Sequence, residues 1–285
     1  MTISGRARLA GVIGDPVTQS LSPRLHGHWL TVHGVDGAYA PLAVARSDFA
    51  LAIAGLRAAG FRGVNVTVPH KEAAFALAEQ CDAAAQATGA VNLLVFHNDR
   101  IEGRNTDVAG LHHSLVDGLG TKGVQGKPVV LLGAGGAARG AVLALAQLGA
   151  SEIRIVARAR AAALADGLKS TTKAKLRGTG WSAWPDAAKD AALLVNATSA
   201  GMRGKPALDL PLDPLPKSAA VCDIVYNPLE TPLLRDARAR GHNVIDGLGM
   251  LMHQAVPSFE AFYGVKPAVT PALRLELEEA LRGGT

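Results

Sequence analysis

One stretch of the sequence decides the fold: residues 129–138, which read Val129-Val130-Leu131-Leu132-Gly133-Ala134-Gly135-Gly136-Ala137-Ala138. Its first four residues form the continuous apolar run of a strand that is buried on both faces. Gly133 permits a tight turn, Gly135 lets a phosphate approach the backbone, and Ala138 lets a helix pack closely on the strand. Residues 139–148 continue with helical composition, and a helix N-terminus offers free N–H groups to an anion. The stretch therefore predicts the dinucleotide-binding turn of a Rossmann-type domain.

The end of the next strand indicates which dinucleotide binds. An enzyme that binds NAD usually carries an acidic residue there, which holds the ribose 2′-hydroxyl. Here the strand Glu152–Val156 runs into Ala157-Arg158-Ala159-Arg160, without an acid. A guanidinium suits a 2′-phosphate through paired, charge-assisted hydrogen bonds, so the sequence predicts NADP with Arg158 as its selector. The alternative is that these arginines are solvated residues at the start of a helix.

Outward from this stretch, short apolar runs alternate with longer segments of helical periodicity, which predicts an α/β fold of two domains. In the first half the predicted strands are Leu9–Ile13, Ala38–Val44, Val64–Val66 and Val91–Phe96, followed by a hairpin that returns through residues 100–103. The predicted helices there are Leu25–Val32, Asp48–Ala59 and Lys71–Ala78. The second half has strands at Val129–Leu132, Glu152–Val156, Leu193–Val195, Val221–Ile224 and Asn243–Ile245, then two helices at residues 247–264 and 271–281. The glycines of residues 118–126 predict a boundary or an exposed connection.

Composition excludes several classes of protein. The chain has 285 residues, of which 48% are hydrophobic, and this argues against disorder. The net charge of +5 invites a nucleic-acid interpretation, but no aromatic residues interleave with the basic groups at residues 154–160 and 169–177. Cys81 and Cys222 lie far apart, and no histidine pair with metal-ligand spacing has acids or thiols beside it, so we predict buried free thiols and no metal. No signal or membrane-spanning segment is evident, which favours a cytoplasmic protein with no membrane partner.

Two polar stretches of the first half are candidate substrate sites. Ser20-Leu21-Ser22-Pro23 opens a helix, with Ser22 as the expected N-cap and Pro23 at the first helical position. Capping explains Ser22, whereas both hydroxyls together would also suit a carboxylate. In Asn65-Val66-Thr67-Val68-Pro69-His70-Lys71, a lysine stands at a helix start, where the helix dipole disfavours a cation. Such a lysine can serve in proton transfer, although an ordinary surface lysine is the commoner case. Asp107, in Asn105-Thr106-Asp107, is either a partner of that lysine or a helix N-cap.

In their order along the chain, these motifs resemble the shikimate dehydrogenase family over almost the whole sequence. The resemblance also rests on further matching segments, which are Gly89-Ala90-Val91-Asn92, Asn196-Ala197-Thr198-Ser199, Tyr226-Asn227-Pro228 and Asp246-Gly247-Leu248-Gly249-Met250 through Gln254.

The resemblance implies a two-domain NADP enzyme with catalysis in the cleft between the domains. It implies a substrate domain over residues 1–108, a Rossmann-type NADP domain over 109–246, and terminal helices over 247–285 that return to the first domain. Lys71 and Asp107 would be the catalytic pair. The residues implied to bind substrate are Ser20, Ser22, Thr67, Asn92, Asp107, Tyr226 and Gln254. Those implied to bind the cofactor are Gly133, Ala134, Gly135, Gly136, Ala137, Arg158, Ile224 and Gly247.

The implied reaction is reversible reduction of 3-dehydroshikimate by NADPH in aromatic amino-acid biosynthesis, by a monomer or homodimer that binds no nucleic acid. One segment departs from the family: the usual Asn-Arg-Thr after the second strand of the cofactor domain is Ala157-Arg158-Ala159 here, which removes two polar contacts to the adenosine end. The alternatives are a relative that acts on quinate or an aminated analogue, a folate-linked methylene dehydrogenase, and a non-catalytic nucleotide-sensing module. A module of the last kind would have no reason to keep Lys71 and Asp107.

Overall fold

The computed structural model describes residues 3–283, so both ends of the predicted domain ranges, at residues 1 and 285, lie outside it. The chain divides into two compact units. Unit 1 contains the residues up to 106 and from 254 onward, and unit 2 contains Asp107–His253. The glycine-rich segment around residues 118–126 is not the boundary between the units, because it connects a helix to a strand inside unit 2.

Unit 1 is built on a mixed six-stranded sheet with the order β2-β1-β3-β5-β6-β4. Strand β1 is parallel to β2 and β3, whereas β5 runs antiparallel to β3 and β6. The strands are β1 (Arg8–Gly14), β2 (Gly37–Ala43), β3 (Gly63–Val66), β4 (Gln80–Cys81), β5 (Leu93–Phe96) and β6 (Ile101–Arg104). The helices are α1 (Ser22–Val32), α2 (Phe49–Ala58), α3 (Lys71–Leu77) and α4 (Ala83–Thr88), and a 3-10 turn (Arg46–Asp48) precedes α2.

Unit 2 is built on a six-stranded sheet with the order β12-β11-β10-β7-β8-β9, in which every pair is parallel. The strands are β7 (Pro128–Leu132), β8 (Glu152–Val156), β9 (Lys175–Thr179), β10 (Leu193–Asn196), β11 (Ala220–Asp223) and β12 (Val244–Ile245). The helices are α5 (Asp107–Leu119), α6 (Gly136–Gln147), α7 (Ala161–Leu168), α8 (Trp184–Ala188) and α9 (Pro232–Ala239), with 3-10 turns at Lys169–Thr171 and Trp181–Ala183. The chain runs outward from β7 through β8 to β9 and then returns to β10 on the other side of β7. This is a doubly wound order, in which ligands bind at the carboxyl ends of the strands flanking the reversal.

Two final helices, α10 (Gly247–Tyr263) and α11 (Pro271–Arg282), complete the chain. The boundary between the units falls within α10, after His253. The remainder of α10 and all of α11 belong to unit 1, where the Tyr263 hydroxyl donates to the Ala38 carbonyl at 2.9 Å and the Trp29 indole donates to the Ala268 carbonyl at 3.2 Å. The residues from 254 onward thus lie in unit 1, as predicted for the terminal helices, whereas residues 247–253, which the prediction also assigned to that return, belong to unit 2.

The core of each unit follows from the apolar runs. In unit 1, Ile13, Val64 and Val66 pack against Phe49 and Ile53 of α2. The corresponding cluster of unit 2 joins β7, β10 and β11 to helices α8 and α9. Over residues 3–283, no helix is long and apolar enough to cross a membrane.

Candidate active site

In unit 1, five of the predicted site residues follow or precede strands at one edge of the sheet. Strands β1 and β3 end at this edge, and β5 begins there because it runs antiparallel to β3. Ser20 and Ser22 come after β1, Thr67 and Lys71 after β3, and Asn92 directly before β5. Strand pairing thus brings three segments that are distant in the chain to a common edge.

Backbone hydrogen bonds fix the relative positions of Lys71 and Asn92. The Val91 amide donates to the Lys71 carbonyl at 3.0 Å, and the Val66 amide donates to the Asn92 carbonyl at 2.8 Å. Lys71 is the first residue of α3 and is half-buried. The sequence correctly placed this lysine at a helix start, where the positive dipole end opposes a cation.

Gly14 leaves room for Thr67 beside it. The Thr67 amide donates to the Ile13 carbonyl at 2.9 Å, which draws the threonine over the end of β1. A Cβ on Gly14 would meet the Thr67 methyl group and would lie 3.2 Å from the Val68 carbonyl oxygen. A residue larger than glycine at position 14 would therefore displace Thr67.

The Asn92 side chain is buried and held in one orientation. Its Nδ2 donates to Thr106 Oγ1 at 2.9 Å, and its Oδ1 accepts from the Thr106 amide at 2.7 Å. The Thr106 hydroxyl also lies 3.4 Å from Gln254 Oε1, so the structure brings Asn92 and Gln254 to the same corner of unit 1. These contacts assign the carbonyl and amine ends of the Asn92 amide.

Asn65 is a structural member of this site that the sequence interpretation did not single out for a role. It is buried in β3, where Oδ1 accepts from the Tyr39 hydroxyl at 2.8 Å. Its Nδ2 donates to Ser258 Oγ at 2.8 Å and to the Asn92 carbonyl at 3.2 Å. A polar residue inside the apolar strand Gly-Val-Asn-Val was the available signal, because a buried amide needs partners.

The start of α1 corrects the predicted capping. Ser22 is the first residue of the helix, the N-cap position is Leu21, and no side chain of the cap residue accepts a hydrogen bond. Instead, the Ser20 hydroxyl accepts from the Ser22 amide at 3.3 Å. The prediction that Ser22 is the N-cap was wrong: Pro23 takes the second helical position, and the hydroxyl that supports the helix start belongs to Ser20.

In unit 2, the turn after β7 has the shape that a dinucleotide requires. Gly133 has a φ of +107°, and a Cβ there would lie 2.9 Å from the Ala197 carbonyl oxygen after β10. A Cβ on Gly135 or Gly136 would meet nothing within 4 Å, so open space lies before the N-terminus of α6. Ala138 is fully buried at the helix–sheet contact. The turn therefore offers backbone N–H groups to a phosphate at the reversal point of the sheet.

The arginines after β8 divide into two kinds. Arg158 is exposed, as is Arg160, which adopts a left-handed φ of 64° before α7. Arg154, which the sequence groups with them, bridges Glu152 and Asp190, and these contacts raise its pKa further. Only Arg158 and Arg160 of this group present exposed guanidinium groups for a phosphate.

The remaining predicted residues of unit 2 are Asp107, Tyr226, Ile224 and Gly247. Asp107 is buried as the first residue of α5, and a Cβ on Gly140 of α6 would lie 3.5 Å from its Cβ. Tyr226 and Ile224 are half-buried in the segment after β11. A side chain on Gly247 would overlap the Ile224 carbonyl, so glycine permits this close approach.

A buried carboxylate, Asp223, joins the loops after β10 and β11, and the sequence interpretation missed it. Its Oδ1 accepts from Asn196 Nδ2 at 2.9 Å and from the Val225 amide at 3.0 Å, and its Oδ2 accepts from the Thr231 hydroxyl at 2.7 Å. Burial raises the pKa of Asp223 to about 6. The acid at the end of an otherwise apolar strand was the only sequence signal.

Metal ligation has no support in the part of the chain that the structure describes, where no group of three or more His, Cys, Asp or Glu side chains could hold an ion. Of the two cysteines, Cys222 is buried as expected, and burial raises the pKa of its thiol. Cys81 is only half-buried, contrary to expectation.

Comparison with known proteins identifies the family. Residues 12–94 match the model for the shikimate dehydrogenase substrate binding domain. The chain is 49% identical over 277 residues to a shikimate dehydrogenase (NADP(+)) from Paramagnetospirillum magneticum, covering 95% of this chain and 98% of the relative.

Solved structures agree with this assignment. A shikimate 5-dehydrogenase from Thermus thermophilus, in complex with NADP(H) and shikimate, superimposes with a TM-score of 0.83 at 35% identity, covering 98% of this chain and all of the other. A quinate dehydrogenase from Corynebacterium glutamicum, in complex with NAD, gives a TM-score of 0.87 at 31% identity over 96% of this chain and 99% of that one. Identity of about one half to the Paramagnetospirillum relative, over nearly the full length of both chains, decides the question. The chain belongs to the shikimate dehydrogenase family.

Proposed function

We propose that this chain catalyses the reversible NADPH-dependent reduction of 3-dehydroshikimate to shikimate, a step of aromatic amino-acid biosynthesis. The observation that carries the proposal is the common sheet edge of unit 1, where strand pairing gathers Ser20, Ser22, Thr67, Lys71 and Asn92. The relative from Paramagnetospirillum is named for this activity with NADP, and the Thermus structure holds both shikimate and NADP(H).

The polar groups at this edge suit a carboxylated polyol. Ser20 and Ser22 lie at the N-terminus of α1, where hydroxyls and a positive dipole end favour a carboxylate. Thr67, Asn92 and Gln254 would take the ring hydroxyls. Because Asn92 is held by Thr106, its amide is oriented before substrate arrives, which lowers the entropy lost on binding.

The cofactor site is the open turn before α6. Backbone N–H groups of residues 133–137 would hold the pyrophosphate, and the exposed Arg158 would bind the 2′-phosphate. Ile224 and Gly247 would line the same site. When bound, NADPH supplies the hydride that reaches the ketone carbon.

Side chains of the protein would supply the proton. Lys71, as an ammonium, would donate a proton to the ketone oxygen during reduction and recover it during oxidation. Asp107 would orient both Lys71 and a substrate hydroxyl, and Tyr226 would lie beside the substrate.

Quinate oxidation is the second candidate, because a quinate dehydrogenase with bound NAD shares the fold. Ser20 together with Ser22 favours shikimate, and the exposed Arg158, without an acid after β8, favours NADP. The test is to follow NADPH or NADH absorbance with shikimate or quinate, each offered NADP or NAD. The proposal expects shikimate with NADP to give the highest kcat/KM, and a higher value for quinate would replace it.

The cellular setting belongs to the same proposal. A cytoplasmic location, a monomeric or homodimeric state and the absence of a nucleic-acid partner are expected of an enzyme with small-molecule substrates. Light scattering on the purified protein measures the oligomeric state directly.

A further inference from the structure

Two loops of unit 2 follow β10, which pairs with β7, and β11, which pairs with β10. The loop after β10 touches the phosphate-binding turn, since a Cβ on Gly133 would lie 2.9 Å from the Ala197 carbonyl oxygen and 3.1 Å from Thr198 Cγ2. The loop after β11 begins with Ile224. The loop after β10 therefore borders the point at which a ligand of this sheet binds, and the loop after β11 adjoins it, because the Ile224 amide donates to the Asn196 carbonyl at 3.1 Å.

Asp223 connects these two loops through one oxygen atom. Its Oδ1 accepts from Asn196 Nδ2 and from the Val225 amide, at 2.9 and 3.0 Å. Asn196 in turn holds Thr198 in position, because its Oδ1 accepts from the Thr198 amide at 3.0 Å and from the Thr198 hydroxyl at 2.7 Å. The chain of contacts runs from the end of β11 to the residue that adjoins Gly133.

The second oxygen of Asp223 has a different task. Its Oδ2 accepts from the Thr231 hydroxyl at 2.7 Å, and Thr231 is the N-cap of α9, where its Oγ1 accepts from the Leu234 amide at 3.3 Å. This contact supports a helix start and does not involve the loop after β10. Because Thr231 ends the loop after β11, the two oxygens separate the connection between the two loops, made by Oδ1, from support of the start of α9, made by Oδ2.

Asp223 lies in an environment that disfavours a charged carboxylate. Asp223 is fully buried, and so is Asn196. Taking an acidic group out of water is unfavourable unless hydrogen bonds compensate, and here three donors converge on it. A carboxylate can accept several hydrogen bonds from different directions, as the joining of two loops requires.

We propose that Asp223 is a positioning residue for NADP, holding the loops after β10 and β11 in the shape that the cofactor binds. The proposal rests on the proposed function only in naming NADP as the ligand. Asp223 itself touches neither substrate nor cofactor in this scheme and acts through Asn196 and Val225.

The test measures the Kd of NADP by fluorescence or calorimetric titration of the full-length protein, well below its melting temperature. Asp223→Ala removes the shared acceptor and should raise the Kd at least about tenfold, which corresponds to about 1.4 kcal/mol. Asp223→Asn keeps one oxygen that can accept from both loops, and should keep the Kd within about threefold. The proposal would be overturned if Asp223→Asn raised the Kd of NADP as much as Asp223→Ala does, or if Asp223→Ala left the Kd unchanged.

Thr231→Val is the matched control, because it removes the Oδ2 contact and the helix cap. It should lower Tm while the Kd of NADP stays within about twofold, since a lost helix cap lowers stability and leaves the contacts of Oδ1 in place. If Thr231→Val weakens NADP binding as much as Asp223→Ala does, the effect is general instability and the proposal fails.

Thr198→Val keeps the experiment decisive even if Asp223→Ala does not fold. It is isosteric and half-buried, and it removes the hydroxyl that donates to Asn196 and accepts from the Ala200 amide at 3.1 Å. The Kd should rise several-fold because the lost hydrogen bond loosens the loop after β10, and an unchanged Kd would contradict the proposal. Turnover of shikimate by the wild-type protein is measured separately, so a failure of the proposed function leaves the binding result readable.

Discussion

The sharpest test of the phosphate-binding turn is Gly135→Ser, because it should move apo stability and NADP affinity in opposite directions. Gly135 is the N-cap of α6, with extended φ and ψ values of −93° and −170° that any residue adopts, and a Cβ there meets nothing within 4 Å. Serine is a better N-cap than glycine by a few tenths of a kcal/mol, so Tm of the apo protein should rise by about 1 °C.

NADP binding should weaken in the same variant. The introduced hydroxyl would accept from the N–H group of Ala137 or Ala138, at the helix N-terminus where the pyrophosphate is proposed to bind. Losing one charge-assisted hydrogen bond, worth roughly 1.5–3 kcal/mol, weakens binding at least about tenfold. At an NADP concentration about 100 times the wild-type Kd, ligand stabilisation should fall from about 2.7 to about 1.4 kcal/mol, which lowers the NADP-induced shift in Tm by about 3–5 °C.

The assay is a melting curve of each variant with and without NADP. Gly167→Ser is the matched control, because Gly167 is an exposed position of α7 in the same unit where a Cβ also meets nothing within 4 Å. It should raise apo stability by about half a kcal/mol, as a helical glycine replacement does, and leave the NADP-induced shift unchanged. A Gly135→Ser protein with the full wild-type shift would refute the placement of the pyrophosphate at this turn.

Three further predictions use the same protein. Lys71→Ala should fold and bind NADP normally, but its kcat should fall by a factor of about 10² to 10⁴. Asp107→Ala should also lose turnover, and the double variant should be little worse than the poorer single variant. A near-normal kcat of Lys71→Ala across the pH profile would exclude Lys71 as the proton donor. Arg158→Asp should weaken the use of NADP more than that of NAD, measured as the ratio of kcat/KM with NADP to kcat/KM with NAD. An unchanged ratio would mean that Arg158 is only a surface residue. His26 is fully buried with both ring nitrogens unpartnered, and burial lowers its pKa from 6.5 to about 3. Because the unfolded chain then binds a proton that the native chain does not, the free energy of unfolding falls as pH drops below about 6.5. Measured by urea unfolding, His26→Leu should reduce the loss of this free energy between about pH 7 and 5 by about 2 kcal/mol. An unchanged pH dependence would contradict burial of the neutral ring.

Much of the fold could be predicted from the sequence because buried strands carry continuous apolar runs. The predicted strand Glu152–Val156 matches β8 at both ends, and the other predicted strands agree with the structure to within two residues at either end. The turn at Gly133 was also predicted, since tight turn, phosphate approach and helix packing each demand a small residue at a set spacing.

Several elements were missed, among them helices α8 and α9 of unit 2, and three of the omissions have a clear physical reason. Strand β9 reads Lys175-Leu176-Arg177-Gly178-Thr179 and pairs only with β8 at the sheet edge, so its exposed face is charged and was interpreted as part of a basic group. Strand β4 has two residues and depends on pairing with β6. Helix α4 spans six alanine-rich residues, too few to show a periodicity.

By itself, then, the sequence determined the α/β class, the glycine-rich turn after β7 and the residue types of the candidate site, because these depend on local periodicity and on motifs with short spacing. Tertiary structure alone decided which groups meet. Ser20 rather than Ser22 supports the start of α1, Arg154 is held in ion pairs while Arg158 stays exposed, and Asp223 joins segments 27 residues apart in the chain. Such contacts depend on strand order and loop path, which no local sequence pattern encodes. A hydrogen bond between residues distant in sequence requires the sheet to hold them close together.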